Sequence, residues 1–84
     1  MEDAPAINFT ALRKERPEAF ARMVEEMRDA VTRYLDTASL RQAAREIGMS
    51  PTGLQKFRDG TAPYTPTLRK VHEWRERIRA MEQQ

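Results

Sequence analysis

The chain has 84 residues, no cysteine, 39% hydrophobic residues and a formal net charge of +2. A chain of this length buries only about 60 to 65% of the surface its unfolded form exposes, so it supports one domain, spanning residues 1–84, and leaves no space for a catalytic cleft between two. The lack of cysteine excludes a disulfide framework and a thiolate metal site, so stability must come from helix packing or from a partner.

In chain order, Met1 to Asn8 carry Glu2 and Asp3 where a signal peptide would want Lys or Arg, and no apolar run approaches membrane-spanning length. The reading is that no targeting or membrane segment is present. Residues 1–8 lack periodicity and hold Pro5, which predicts a disordered or loosely attached start. Phe9 and Leu12 fit a turn or two of helix after Asn8, and Arg16, standing before Pro17, is pushed out of the helical region. Pro17 suits the first position of a new helix. From there Phe20, Met23, Val24, Met27, Val31, Tyr34 and Leu35 recur three or four apart, predicting a long amphipathic helix over 17–35.

Ser39 opens Ser-Leu-Arg-Gln, a capping box in which the hydroxyl and Gln42 can satisfy each other's backbone donors. Leu40, Ala43, Ala44 and Ile47 follow on one face, and Gly48 can end that helix at positive φ. Ser50 and Pro51 restart a helix at once, with Leu54 and Phe57 inward, and Asp59-Gly60 stops it. Two short helices joined by about three residues are therefore expected. Thr65-Pro66 reads as another cap and first-turn pair. It opens a last long helix carrying Leu68, Val71, Trp74, Ile78 and Met81. The predicted fold class is all-α, with four to five helices, long ones at both ends and a helix-turn-helix over 39–60.

Charge is divided unevenly along this plan. Residues 1–38 carry six basic and eight acidic side chains, and residues 71–84 carry three of each. Residues 39–70 hold Arg41, Arg45, Lys56, Arg58, Arg69 and Lys70 against only Glu46 and Asp59. The basic excess thus lies in the middle third, where a polyanion would dock. In the expected second short helix, Pro51 to Asp59, burial of Leu54 and Phe57 puts Thr52, Gln55, Lys56 and Asp59 on the opposite side. Gln55 can pair with adenine at two points, Lys56 can donate to guanine, and Thr52 can reach a base edge or a thymine methyl. These three are the base-reading candidates. Arg41, Arg45, Ser50, Arg58, Tyr64, Thr65 and Arg69 flank the helix as candidates for phosphate and backbone contacts.

Residues 39–60 resemble the helix-turn-helix of the Cro and phage-repressor (lambda-repressor-like, XRE) family, on Ala44 at the helix crossing, Gly48 in the turn, Ser50 as cap, and Met49, Leu54 and Phe57 between the helices. The likeness extends over roughly Leu35 to Trp74. It implies sequence-specific binding of double-stranded DNA by a transcriptional regulator. The further implication is a dimeric repressor of a phage, mobile-element or defence operon, cytoplasmic, bacterial or phage-encoded, and associated with the nucleoid. Two departures mark a divergent member. Leu40 stands where many phage repressors have a Gln that braces the recognition helix on a phosphate, and the long helix over 17–35 is additional. The competing class is a non-enzymatic protein-interaction module, an antitoxin or adaptor with a protein partner.

Enzymatic chemistry finds no support. His72 is the only histidine and has no companion at metal-ligand spacing, Ser50 has a capping role, and the paired carboxylates lie on mixed-charge helices. No metal or cofactor is expected. Val71, Trp74, Ile78 and Met81 are spaced 3, 4 and 3 apart, the rhythm of a coiled-coil seam. Such a stripe either packs inside the domain or is left for a second subunit, which makes these four the candidate dimer contacts.

Overall fold

The computed structural model describes residues 7–83. Helix α1 (Phe9–Glu15) begins at Asn8, whose Oδ1 accepts from the Ala11 N–H at 3.0 Å. Asn8 is therefore a formed cap and not part of a loose start; residues 1–6 of that expected segment lie outside the described residues. Arg16, at φ −138° and ψ 67°, leaves the helical region as a residue before proline must. It ends α1 and precedes α2 (Pro17–Tyr34), an 18-residue helix with Pro17 in its first turn.

The next two helices follow the capping signals closely. Helix α3 (Leu40–Ile47) starts at Ser39, whose hydroxyl accepts from the Gln42 N–H at 3.0 Å, and ends at Gly48 with φ +95°. Only the serine half of the expected capping box is formed among the described hydrogen bonds. Helix α4 (Pro51–Arg58) starts at Ser50 in the same way, through the Gly53 N–H at 3.0 Å, and closes with Gly60 at φ +108°. Helix α5 (Thr65–Glu82) departs from the expected pattern at its start. Thr65 is the first helical residue and Tyr64 is the cap, because the Tyr64 carbonyl already accepts from the Leu68 N–H at 3.1 Å. The Thr65 side chain makes no capping bond.

Five helices and no strand make up the described residues, an all-α arrangement. Helix α2 packs on α1, α4 and α5, while α3 packs on α4 and α5, so α2 and α5 enclose the short pair from two sides. Met27, Val31, Leu54, Leu68 and Val71 are the largest fully buried side chains and belong to one contiguous cluster. Each such side chain contributes about 1.5 to 3 kcal/mol through removal from water. No buried side-chain polar atom among the described residues lacks a partner, as a well-formed core requires.

The C-terminal stripe is divided by this packing. Val71 is fully buried and Trp74 is 4% exposed, with the Trp74 ring 5.3 Å from that of Tyr34. Both are spent on the chain's own core, which corrects their assignment as dimer contacts. Ile78 is half-buried and Met81 is 65% exposed, so only the distal end of the stripe stays open. His72 is half-buried with its ring edge-on to Phe9 at 6.1 Å, a packing role. Among the described residues no helix is long and apolar enough to cross a membrane.

Candidate nucleic-acid interface

The geometry of the α3–α4 pair follows from its three-residue connection. Gly48 takes a left-handed conformation that a β-carbon would resist, and the N–H groups of Gly48 and Met49 both donate to the Ala44 carbonyl, at 2.8 and 2.9 Å. These bonds reverse the chain within one turn, and Ser50, extended at φ −74° and ψ 150°, begins α4 immediately. Ala43, Ala44 and Ile47 on α3 and Leu54 and Phe57 on α4 are all buried. Small side chains at 43 and 44 bring the two helices close, and Met49 packs half-buried against the same cluster.

With that face consumed, the remaining face of α4 is free. Thr52, Gln55 and Lys56 are all exposed, on the side away from Leu54 and Phe57, as the helical period requires. Ser50 is exposed as well, with its hydroxyl committed to capping. Arg41 and Arg45 are exposed on α3, where they line a shallow groove with Ser39, Gln42 and Glu46. Tyr64 is 78% exposed and shares with Lys56 the wall of a cleft of about 100 Å³ between α4 and the following linker. Lys56 and Tyr64 are thus brought together, as are Arg41 and Arg45.

The other flanking candidates are placed less openly. Arg58 is half-buried and its Nε donates to Asp59 at 3.0 Å, so its charge is partly answered within the chain. Thr65 is half-buried in the first turn of α5, and Arg69 is exposed one turn later. Thr67 also lines the α4–linker cleft. Sequence reasoning passes over it because its neighbours across the cleft are 3 to 14 positions away and no periodic signal links them.

The two acidic residues of the basic stretch are both engaged. Asp59 pairs with Arg58, and Glu46 accepts a hydrogen bond from the Tyr34 hydroxyl on α2. That bond, then burial, then the Glu46 charge hold the Tyr34 phenol above its ordinary range. The Arg77 guanidinium donates to the Glu46 carbonyl at 2.8 Å, a cation on one of the end carbonyls of α3. Asp59 is thus paired within the chain, while Glu46, bonded only to a neutral phenol, keeps its charge at the edge of the groove that Arg41 and Arg45 line. Among the described residues no group of three His, Cys, Asp or Glu side chains has the arrangement of a metal site.

Comparison of the chain with family models, with curated proteins and with solved structures finds no match.

Proposed function

We propose that the chain binds double-stranded DNA, with α4 in the major groove as the reading helix, and acts as a transcriptional regulator of the Cro and phage-repressor type. The observation that carries this reading is the exposure of Thr52, Gln55 and Lys56 together on one face of a short capped helix, opposite buried Leu54 and Phe57. A helix fits the major groove, and polar side chains of these types match base-edge donors and acceptors. Arg41, Arg45, Tyr64 and Arg69 contact phosphates, supplying affinity without sequence information. A regulator built this way works as a dimer on a palindromic site, with half-sites about 34 Å apart. Ile78 and Met81, the part of the α5 stripe left open, carry the contact between copies.

The test is fluorescence anisotropy on a duplex selected from a random library, beside a random duplex, across a salt series. Gln55→Ala and Lys56→Ala should each lower discrimination by about 1 to 3 kcal/mol, the worth of one bidentate pairing with a base edge. Arg41→Ala and Arg45→Ala should weaken both duplexes alike and each lower the salt slope by about 1. Absence of binding at low salt, or indifference to all four substitutions, would refute the proposal.

A second reading, an interaction module that takes a protein partner, is favoured by one specific feature. A groove of about 470 Å³ runs between α2 and α5, lined by Tyr34, Trp74 and Ile78 together with the charged Arg33, Arg75, Arg79 and Glu82. A stable protein complex with no retention on DNA would select this reading.

A further inference from the structure

Two arginines from the N-terminal helices reach the backbone around the end of α4. Arg28, on α2, donates from Nε to the Phe57 carbonyl at 2.8 Å and from Nη2 to the Thr61 carbonyl, also at 2.8 Å. Its Nη1 meets Glu25 at 2.6 Å, its guanidinium lies 5.3 Å from the Phe57 ring centre, and its side chain is only 15% exposed. Arg13, on α1, donates to the Pro63 carbonyl at 3.1 Å while lying 4.8 Å over the Phe20 ring. The carbonyls of residues 57, 61 and 63 are thus held from 29 to 50 positions away in sequence.

The physical effect is directional. The Phe57 carbonyl lies in the last turn of α4, where the negative end of the helix dipole favours a cation, while the Thr61 and Pro63 carbonyls belong to the linker that follows. A planar guanidinium that reaches two carbonyls fixes an angle as well as a distance, which a lysine ammonium does not. Glu25 and the Phe57 ring lock the Arg28 fork in turn. Rolling or sliding of α4 on α2 would therefore break the Phe57 bond, and the Thr61 bond ties the start of the linker to the same guanidinium. Gln55 and Lys56 stand within the turn just before the braced carbonyls, and Tyr64 directly follows the linker that Arg13 holds.

We infer that Arg28, assisted by Arg13, is a positioning residue for DNA recognition: it sets the pose in which α4 offers Thr52, Gln55 and Lys56, without touching the nucleic acid. This inference rests on the proposed DNA reading.

The experiment uses the full chain with Arg28→Met, Arg28→Lys, and Leu35→Ala as a control that loosens half-buried packing beyond the end of α2 without touching either arginine. At a temperature where every variant is folded, Arg28→Met should lower the ratio of selected to random duplex affinity about tenfold, as if one base-edge pairing were missing. Its salt slope should stay at the parent value, since no phosphate interaction is removed. Arg28→Lys should recover part of the ratio, and Leu35→Ala should leave it intact. Without DNA, amide exchange at Asp59, Gly60 and Thr61 should accelerate in Arg28→Met far more than at Ala44. An unchanged ratio, or a salt slope lower by about 1, would overturn the positioning role. If the unsubstituted chain binds no duplex, the DNA reading fails, and the exchange arm alone judges whether Arg28 fixes α4.

Discussion

The first turn of α4 offers a sharp quantitative test, because one oxygen there serves two purposes. The Ser50 hydroxyl accepts from the Gly53 N–H at 3.0 Å, and a β-carbon built on Gly53 would lie 3.0 Å from that same oxygen and 3.4 Å from Met49 Cε. Alanine in place of a helical glycine gains up to about 1 kcal/mol in propensity. Loss of a serine cap costs about 1 kcal/mol. Gly53→Ala alone should therefore be nearly neutral, since the gain is offset by displacing the capping oxygen. Ser50→Ala alone should cost about 1 kcal/mol. Once that oxygen is gone, the alanine at 53 meets nothing rigid, and the double variant should return close to the parent. The coupling is thus about 1 kcal/mol, equivalent to about 4 to 8 °C in melting temperature for a domain of this size. Trp74, the only tryptophan and 4% exposed, reports unfolding in a urea titration of all four proteins. Additivity of the two substitutions to within about 0.3 kcal/mol would show that the oxygen does not limit position 53, and the proposed coupling would fall.

Other outcomes follow from the same structure. Leu54, which is fully buried, should lose about 2 to 5 kcal/mol on substitution by alanine, a large share of the roughly 4 to 13 kcal/mol available to a chain this long; urea midpoints measure it. Gly48→Ala should cost about 1 to 2 kcal/mol by thermal melting even though nothing lies within 4 Å of the added carbon, because the penalty comes from φ +95° alone. Gly48→Asn should cost less, as asparagine tolerates that region. The Tyr34 phenol is held neutral above its reference value of 10.0. Its contribution to stability should be whole below pH 10 and fall away as pH rises past the folded value, a decline that Tyr34→Phe should remove from urea midpoints measured across pH 9 to 11.

The local signals in the sequence are largely sufficient for the helices, because each boundary is set by a residue whose preference is nearly independent of context. Ser39, Ser50, Gly48 and the prolines at 17 and 51 act within one turn of themselves, and those boundaries match to within a residue. At Thr65 the same reasoning errs by one position. A threonine before proline looks like a cap, yet the helix gains a bond by starting at the Tyr64 carbonyl. The exposed face of α4 is also legible, since two inward residues on a short helix determine the outward ones. Long-range partners are not. Nothing near Arg13 or Arg28 in sequence marks them as different from other arginines on the amphipathic N-terminal helices, and their targets are backbone carbonyls, which leave no trace in the sequence. The stripe on α5 is legible as apolar, but its division between core and surface depends on where α2 ends. Tyr34 in the last turn of α2 covers Trp74, whereas Met81 extends beyond any covering helix.

Whether α4 presents its outer face to the major groove of a duplex is open to a residue-by-residue test: titration of the isotope-labelled chain with duplex DNA, followed by amide chemical shifts. Shifts should concentrate at Thr52, Gln55 and Lys56, with a second group at Arg41 and Arg45 and near Tyr64. Shifts confined to Ile78 and Met81, or none at saturating duplex in low salt, would contradict the proposed docking of α4.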